Sequence, residues 1–156
     1  MLDTRGVIDG IFADAATGDL EKVLRWWAED GILEDVTLAR AYRGKQEIRD
    51  YLRMYYGALP EVTYEPIRLV VSGPTAVVEW AQSTRVAADF DGVDAAGRDL
   101  YLHAIDIFHV ENGLIQHEAS WYGDAWLRLR LEGVTDPGMP GELPVTPAPV
   151  RPGSRF

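Results

Sequence analysis

The sequence predicts an α+β fold: a curved antiparallel sheet wrapped around three N-terminal helices, cone-shaped, with an internal pocket. Three observations predict it. Apolar residues recur at helical spacing from Val7 to Tyr55. From Val62 onward the pattern changes to period two, the signature of half-buried strands. Asn112-Gly113 between two apolar runs marks a tight hairpin. Helices first and long strands after gather the helices on one side of a sheet. A curved sheet closed in this way encloses a pocket, the default ligand site.

The elements follow in order. Val7, Ile8, Ile11, Phe12 and Ala15 form the apolar stripe of a first helix, Val7 to Ala16. Thr17-Gly18-Asp19 breaks and restarts the chain. Asp19 is placed to cap a second helix, LEKVLRWWAED, with Leu20, Val23, Leu24 and Trp27 on one face. A short strand is expected at Gly31 to Val36. Gly44 precedes a third helix, KQEIRDYLRMYYGAL, with Ile48, Tyr51, Leu52 and Tyr55 on one stripe, and Pro60 stops it. Strands are expected at Val62–Val71, Ala76–Ala87, Arg98–Val110 and Leu114–Tyr122. The links are a turn at Ser72-Gly73-Pro74-Thr75, a loop from Asp89 to Gly97 and the turn Glu111-Asn112-Gly113. Trp126, Leu127, Leu129 and Leu131 close the packed region.

Residues 1–132 make one domain in this reading. Residues 133–156 hold six of the nine prolines without periodicity and read as an extended or disordered tail.

Composition narrows the function. Of the 156 residues, 47% are apolar, enough for a substantial core. There is no cysteine, so neither a disulfide framework nor a thiol nucleophile is available. Three scattered histidines do not match zinc spacing, and no metal or cofactor is expected. A net charge of −10 argues against a nucleic-acid partner and favours solubility. No apolar stretch approaches the ~20 residues of a membrane span. MLDTRGVIDG lacks a signal-peptide pattern, so a cytoplasmic protein is expected.

Asp106 breaks the pattern. It shares a strand face with Leu100, Leu102, Ala104 and Phe108. Buried without a cation, its carboxyl group should hold its proton more tightly than usual. The competing reading is a salt bridge to Arg85 or Arg98 on a neighbouring strand. Asp35 ends a short strand and reads by itself as a solvated strand-end aspartate. His103 falls on the opposite face with Tyr101, Ile105 and Ile107 unless a bulge re-aims it. Placed there it serves a subunit contact; turned inward it is an acid–base group. His117 has the same ambiguity, and His109 should face solvent. Glu118, Ser120 and Tyr122 share the face opposite His117, toward Asp106. Trp80 and Gln82 alternate into one face, where they would stack on a flat ligand and orient a carbonyl. Tyr51 and Tyr55 could close the pocket. Trp26, Trp27, Trp121 and Trp126 read as packing residues.

Gly18-Asp19-Leu20, Glu34-Asp35, Arg43-Gly44-Lys45 with Ile48-Arg49, and Ile105-Asp106-Ile107-Phe108 with Gly113 resemble the cone-shaped nuclear-transport-factor-2-like superfamily. That group includes ketosteroid isomerases, limonene epoxide hydrolases, scytalone dehydratases and SnoaL-like polyketide cyclases. The resemblance covers roughly residues 5 to 130. One such fold hosts many chemistries, so the reaction must be argued from the site. The ketosteroid isomerase pattern implies a general base at Asp35 and a protonated hydrogen-bond donor at Asp106. Its oxyanion tyrosine would fall at Ile11, a departure. The Arg and two Asp of the epoxide hydrolases would fall near Trp80, Gln82 and Ser120, so that triad is absent. His103 to Tyr122 is similar to the end of SnoaL-like cyclases, with His117 and Glu118 in the acid–base region.

The resemblance implies a cofactor-independent acid–base enzyme acting on a small apolar organic substrate such as a polyketide, without nucleic acid or membrane partners. The expected catalytic groups are Asp35 and Asp106, with His103 and Glu118 behind them. Tyr51, Tyr55, Trp80, Gln82, Ser120 and Tyr122 would shape the pocket. The alternatives are a dehydratase or hydratase, or a non-catalytic ligand-binding protein. The apolar sheet face bearing Tyr101, His103, Ile105, Ile107, Ile115 and Trp121 predicts a homodimer.

Overall fold

The computed structural model describes residues 2–89 and 94–123. The loop expected at Asp89–Gly97 is therefore described only in part. The group Trp126 to Leu131 and the segment 133–156 lie outside the described residues. Helix α1 spans Thr4–Ala15 and buries Val7, Ile8 and Ile11. Asp3 caps it, its side chain accepting from the Gly6 N–H at 2.8 Å. Asp19 caps α2, Leu20–Leu24, by accepting from the N–H groups of Glu21 and Lys22.

The second helix stops well short of the expected stretch. Trp27 already begins β1, Trp27–Asp35. The cause is a pairing far along the chain: Trp27 lies opposite Ile115, and the Ile115 N–H donates to the Trp26 carbonyl at 2.8 Å. A one-turn helix has little stability of its own to oppose such a sheet contact. A second strand, β2 (Arg40–Arg43), follows β1 in an antiparallel pair and was not expected. It is short and mostly exposed at the sheet edge, so it carries no alternation to read.

Helix α3, Gly44–Ala58, begins at a glycine with φ of 76° and buries Ile48, Leu52 and Ala58. The strands β3 (Thr63–Ser72), β4 (Thr75–Arg85), β5 (Asp99–Glu111) and β6 (Leu114–Tyr122) complete the sheet. They fall within one or two residues of expectation. The order is β2-β1-β6-β5-β4-β3 in one six-stranded curved sheet. The α+β architecture is as expected, with one refinement: β1 and β6 run parallel, so the sheet is mixed.

Register positions the site. Asp35, Ser120, Asp106 and Val78 form one row across β1, β6, β5 and β4. Leu33, Glu118, Phe108 and Ala76 form the next row. All point into the concave side, where α1, α2 and α3 cover them with Ile8, Ile11, Leu24, Ile48 and Leu52. The opposite face leaves Tyr101, Ile105, Ile107 and Trp121 exposed, whereas Ile115, expected on that face, is fully buried in the core beyond a register shift in the β5–β6 ladder.

The α1–α2 corner offers a test of packing. A Cβ at Gly10 would lie 2.3 Å from the Trp26 ring. That ring is held by its Nε1, which donates to Asp14 at 2.6 Å, and by Arg25 above its face. Gly10→Ala should therefore lose about 1–2 kcal/mol despite the better helix propensity of alanine. Thermal denaturation checks this, and a raised melting temperature would show that the ring swings clear.

Candidate active site

A cavity of about 120 Å³ lies between the concave face and the helices. Its walls are mainly aromatic: Phe12 from α1, Trp27 from β1, Tyr51, Tyr55 and Tyr56 from α3, Tyr64 and Trp80 from β3 and β4. The polar groups are few. Asp35, Glu118, Ser120 and Tyr122 enter from neighbouring strands.

Asp35 ends β1 and is buried, with 4% of its surface exposed. It is not the solvated strand-end residue that its position suggested. The Leu38 N–H donates to its Oδ1 at 2.9 Å, and the Tyr122 hydroxyl donates to its Oδ2 at 2.7 Å. Both oxygens thus act as hydrogen-bond acceptors. The first bond arises because Val36–Ala39 turns the chain from β1 into β2. The second arises because Tyr122 follows Ser120 by one strand repeat, and Ser120 sits opposite Asp35.

Asp106 is buried as well, at 3%. Trp80 Nε1 donates to its Oδ2 at 2.5 Å, while Oδ1 has no hydrogen-bond partner among the described residues. Burial pushes its carboxyl group up from 3.8 to about 7, against the opposing pull of the Ser120 and Trp80 hydrogen bonds. The salt bridge considered for it does not form. Arg85 lies opposite Asp99 at the far end of the β4–β5 ladder, and Asp106 lies opposite Val78. Asp106 stands just behind the cavity wall rather than on it, against Trp80 and Ser120, which line the space.

Glu118 is the acid on the wall. It is one register row from Asp106 on the adjacent strand. Burial raises its pKa well above the usual value, and the Asp106 charge raises it further. The two carboxyl groups favour one negative charge between them at neutral pH. No lysine, arginine or histidine lines the cavity among the described residues. Nor is any group of three or more His, Asp or Glu side chains there arranged to hold a metal ion.

The other sequence-derived residues divide. Tyr51, Tyr55, Trp80, Ser120 and Tyr122 reach the cavity. Gln82 stands behind Tyr55 and accepts from its hydroxyl at 2.5 Å, so it orients the tyrosine rather than the ligand. His103 is a correction: alternation along β5 is not interrupted by a bulge at its position, so it lies on the outer face and pairs with Glu79 at 3.1 Å. His117 pairs with Glu34 and His109 with Glu111, both also away from the cavity. Sequence reasoning missed Tyr56 and Tyr64. Burial raises both hydroxyls, Tyr56 to about 12, so both remain hydrogen-bond donors. Tyr56 adjoins Tyr55 in the third helix, the one signal that could have found it.

A family model described as SnoaL-like domain matches residues 8–118. The chain belongs to the SnoaL-like domain family. Solved structures agree with the fold of this SnoaL-like protein. TsrD from Streptomyces laurentii is 23% identical, with 86% of this chain and 99% of that one covered and a TM-score of 0.72. A candidate SnoaL-like polyketide cyclase from Jannaschia sp. CCS1 is 13% identical, with 83% and 92% covered and a TM-score of 0.75. The epoxide hydrolase/cyclase-like enzyme SalBIII, of pyran ring formation in polyether salinomycin, is 21% identical, with 78% and 92% covered and a TM-score of 0.67. No curated protein sequence matches the chain significantly. The nuclear-transport-factor-2-like resemblance read from Asp35, Arg43-Gly44 and Asp106 is thus borne out at the level of family and fold. No helix among the described residues of this SnoaL-like protein is long and apolar enough to cross a membrane.

Proposed function

We propose that this SnoaL-like protein is a cofactor-independent acid–base enzyme, a cyclase or isomerase acting on a small, largely apolar carbonyl compound of polyketide type. The observation that carries the reading is one cavity with two unlike carboxyl groups on its wall. Asp35 has both oxygens accepting hydrogen bonds, whereas Glu118 is half-buried beside Asp106, and desolvation and the Asp106 charge raise its pKa well above the usual value. Environments that drive two carboxyl groups apart in this way divide base from acid. The names of the structural neighbours, polyketide cyclases and an epoxide hydrolase/cyclase-like enzyme, support the substrate class.

Asp35 takes a proton from the carbon next to a carbonyl. The C–H electron pair becomes the enolate, whose oxygen accepts a hydrogen bond from Glu118. In a cyclisation the enolate carbon attacks a second carbonyl carbon, and Glu118 protonates the new alkoxide. In an isomerisation Asp35 returns its proton at another carbon. Asp106 acts through Glu118, and Trp80 and Ser120 hold Asp106. This revises the pairing expected from sequence: the catalytic acid is assigned to Glu118, with Asp106 as the group that tunes it.

Exchange of α-protons in D2O tests the chemistry without the natural substrate. NMR should show enzyme-dependent deuterium uptake by 1,3-diketones or 2-tetralone. Exchange at the buffer rate for every ketone tried would remove the reading.

The assembly belongs to the same reading. The protein is a cytoplasmic homodimer paired through the outer face, where Ile105 and Trp121 sit opposite each other with 46% and 40% of their surfaces exposed. Light scattering at micromolar concentration should give twice the chain mass, and a monomer would contradict it.

A further inference from the structure

A cavity of about 120 Å³ is small for its proposed ligands, since drug-sized ligands occupy roughly 300–1,000 Å³. A second hollow of about 420 Å³ lies outside it, between α1 and the edge strand β3. Its floor is apolar, with Ile8, Leu69 and Val78, and its rim carries Arg5, Asp9 and Arg68. Phe12 and Tyr64 line both spaces.

The partition between the two hollows is made of rings. Phe12 and Tyr64 meet edge to face with centroids 6.3 Å apart, and Trp80 touches both, at 6.2 and 5.7 Å. Ring–ring edge contacts are each worth about 1 kcal/mol, little enough for an entering chain to displace. The groove rim has two cations against one anion, in a protein of net charge −10. Arg5 makes no ion pair with a described residue, and Arg68 has only a long contact of 3.7 Å to Glu79. The cavity, in contrast, has acids on its wall and no cation among the described residues. An acidic group on the ligand is therefore repelled from the inner end and attracted to the outer one.

We propose that the α1–β3 groove is the outer half of the ligand site: the substrate is an elongated carboxylic acid, its reacting end in the cavity, its chain passing between Phe12 and Tyr64, and its carboxylate on Arg5 and Arg68. The proposal rests on the cavity being a ligand site, and it adds the length and charge of the substrate.

Binding of ω-phenylalkanoates to the full chain tests it, read from the Trp80 indole resonance. Toluene, which needs only the cavity, serves as the control. From 4-phenylbutyrate to 8-phenyloctanoate the affinity should rise about three- to fourfold per methylene, as expected for a chain entering an apolar groove. Ala13→Trp, on the exposed groove side of α1, should flatten that series and leave toluene binding unchanged. Arg68→Gln should weaken the longest acid about tenfold and leave its amide unaffected. Toluene binding with no dependence on chain length, or no loss in Arg68→Gln, would overturn the groove alone. Failure of toluene and all the acids to bind would overturn the cavity reading, and the groove with it.

Discussion

Asp35→Asn should slow α-proton exchange by about 10²–10⁴-fold, the usual contribution of a positioned general base. Asparagine keeps the shape and can still accept from Leu38 or Tyr122, so folding should change little. It cannot take up a proton. The loss should therefore appear in the chemical step, with binding of neutral ligands unchanged. Tyr122→Phe removes one of the two donors that orient Asp35 and should cost less, about tenfold, through positioning alone. Glu118→Gln keeps a hydrogen-bond donor for an enolate but has no proton to give to an alkoxide. It should retain exchange better than Asp35→Asn does, while losing any reaction that ends in alkoxide protonation. Equal losses in both assays for both variants would mean that the two carboxyl groups do not divide the work.

Asp106→Asn should stabilise the protein at alkaline pH and leave it nearly unchanged in acid. The sign follows from proton binding. Burial raises the folded-state pKa of Asp106 from 3.8 to about 7. Below pH 4 both folded and unfolded states hold the proton, and its contribution to stability is fully present. Between about pH 4 and 7 the unfolded chain has released it and the folded protein has not. Stability is lost over that window by up to about 1.4 kcal/mol per pH unit, a few kcal/mol in all. Asparagine has no proton to lose and keeps an acceptor for the Trp80 indole. Wild type and variant should melt together near pH 4 and separate by pH 8, the variant being the more stable. The variant should also lower the pKa of Glu118, because the Asp106 charge no longer opposes its ionisation. Any alkaline limb of the pH–rate profile would then move to lower pH. Parallel stability curves from pH 4 to 8 would show that Asp106 is ionised throughout.

The strands of the C-terminal half were legible because one face is buried and the other is not. Apolar alternation then carries both the element and its orientation, as it did for Leu100 to Phe108. The same rule exposed Asp106, a charge at an inward position, and put His103 on the outer face. The overlong second helix has a different origin. Leu20, Val23, Leu24 and Trp27 do make a helical stripe, but Trp27 answers to Ile115, on a strand 88 positions further along. No local window contains that partner. β2 went unseen because an exposed edge strand needs no apolar pattern. Asp35 was ambiguous by itself, since burial at a strand end depends on the Val36–Ala39 turn and on Tyr122. The family resemblance supplied what periodicity could not. Tyr56 and Tyr64 were missed because an aromatic side chain at regular spacing reads equally as packing. The α1–β3 groove depends on how a helix docks against an edge strand, which no single segment encodes.

The protonation of the acid pair is measured most directly by ¹³C NMR titration of the side-chain carboxyl groups, assigned with Asp106→Asn and Glu118→Gln. Both resonances should remain in the protonated position at pH 6, with the first proton leaving the pair near pH 7 and the second at distinctly higher pH. If both groups instead titrate near pH 4, Glu118 has no proton to give at neutral pH, and the division into a base at Asp35 and an acid at Glu118 is wrong.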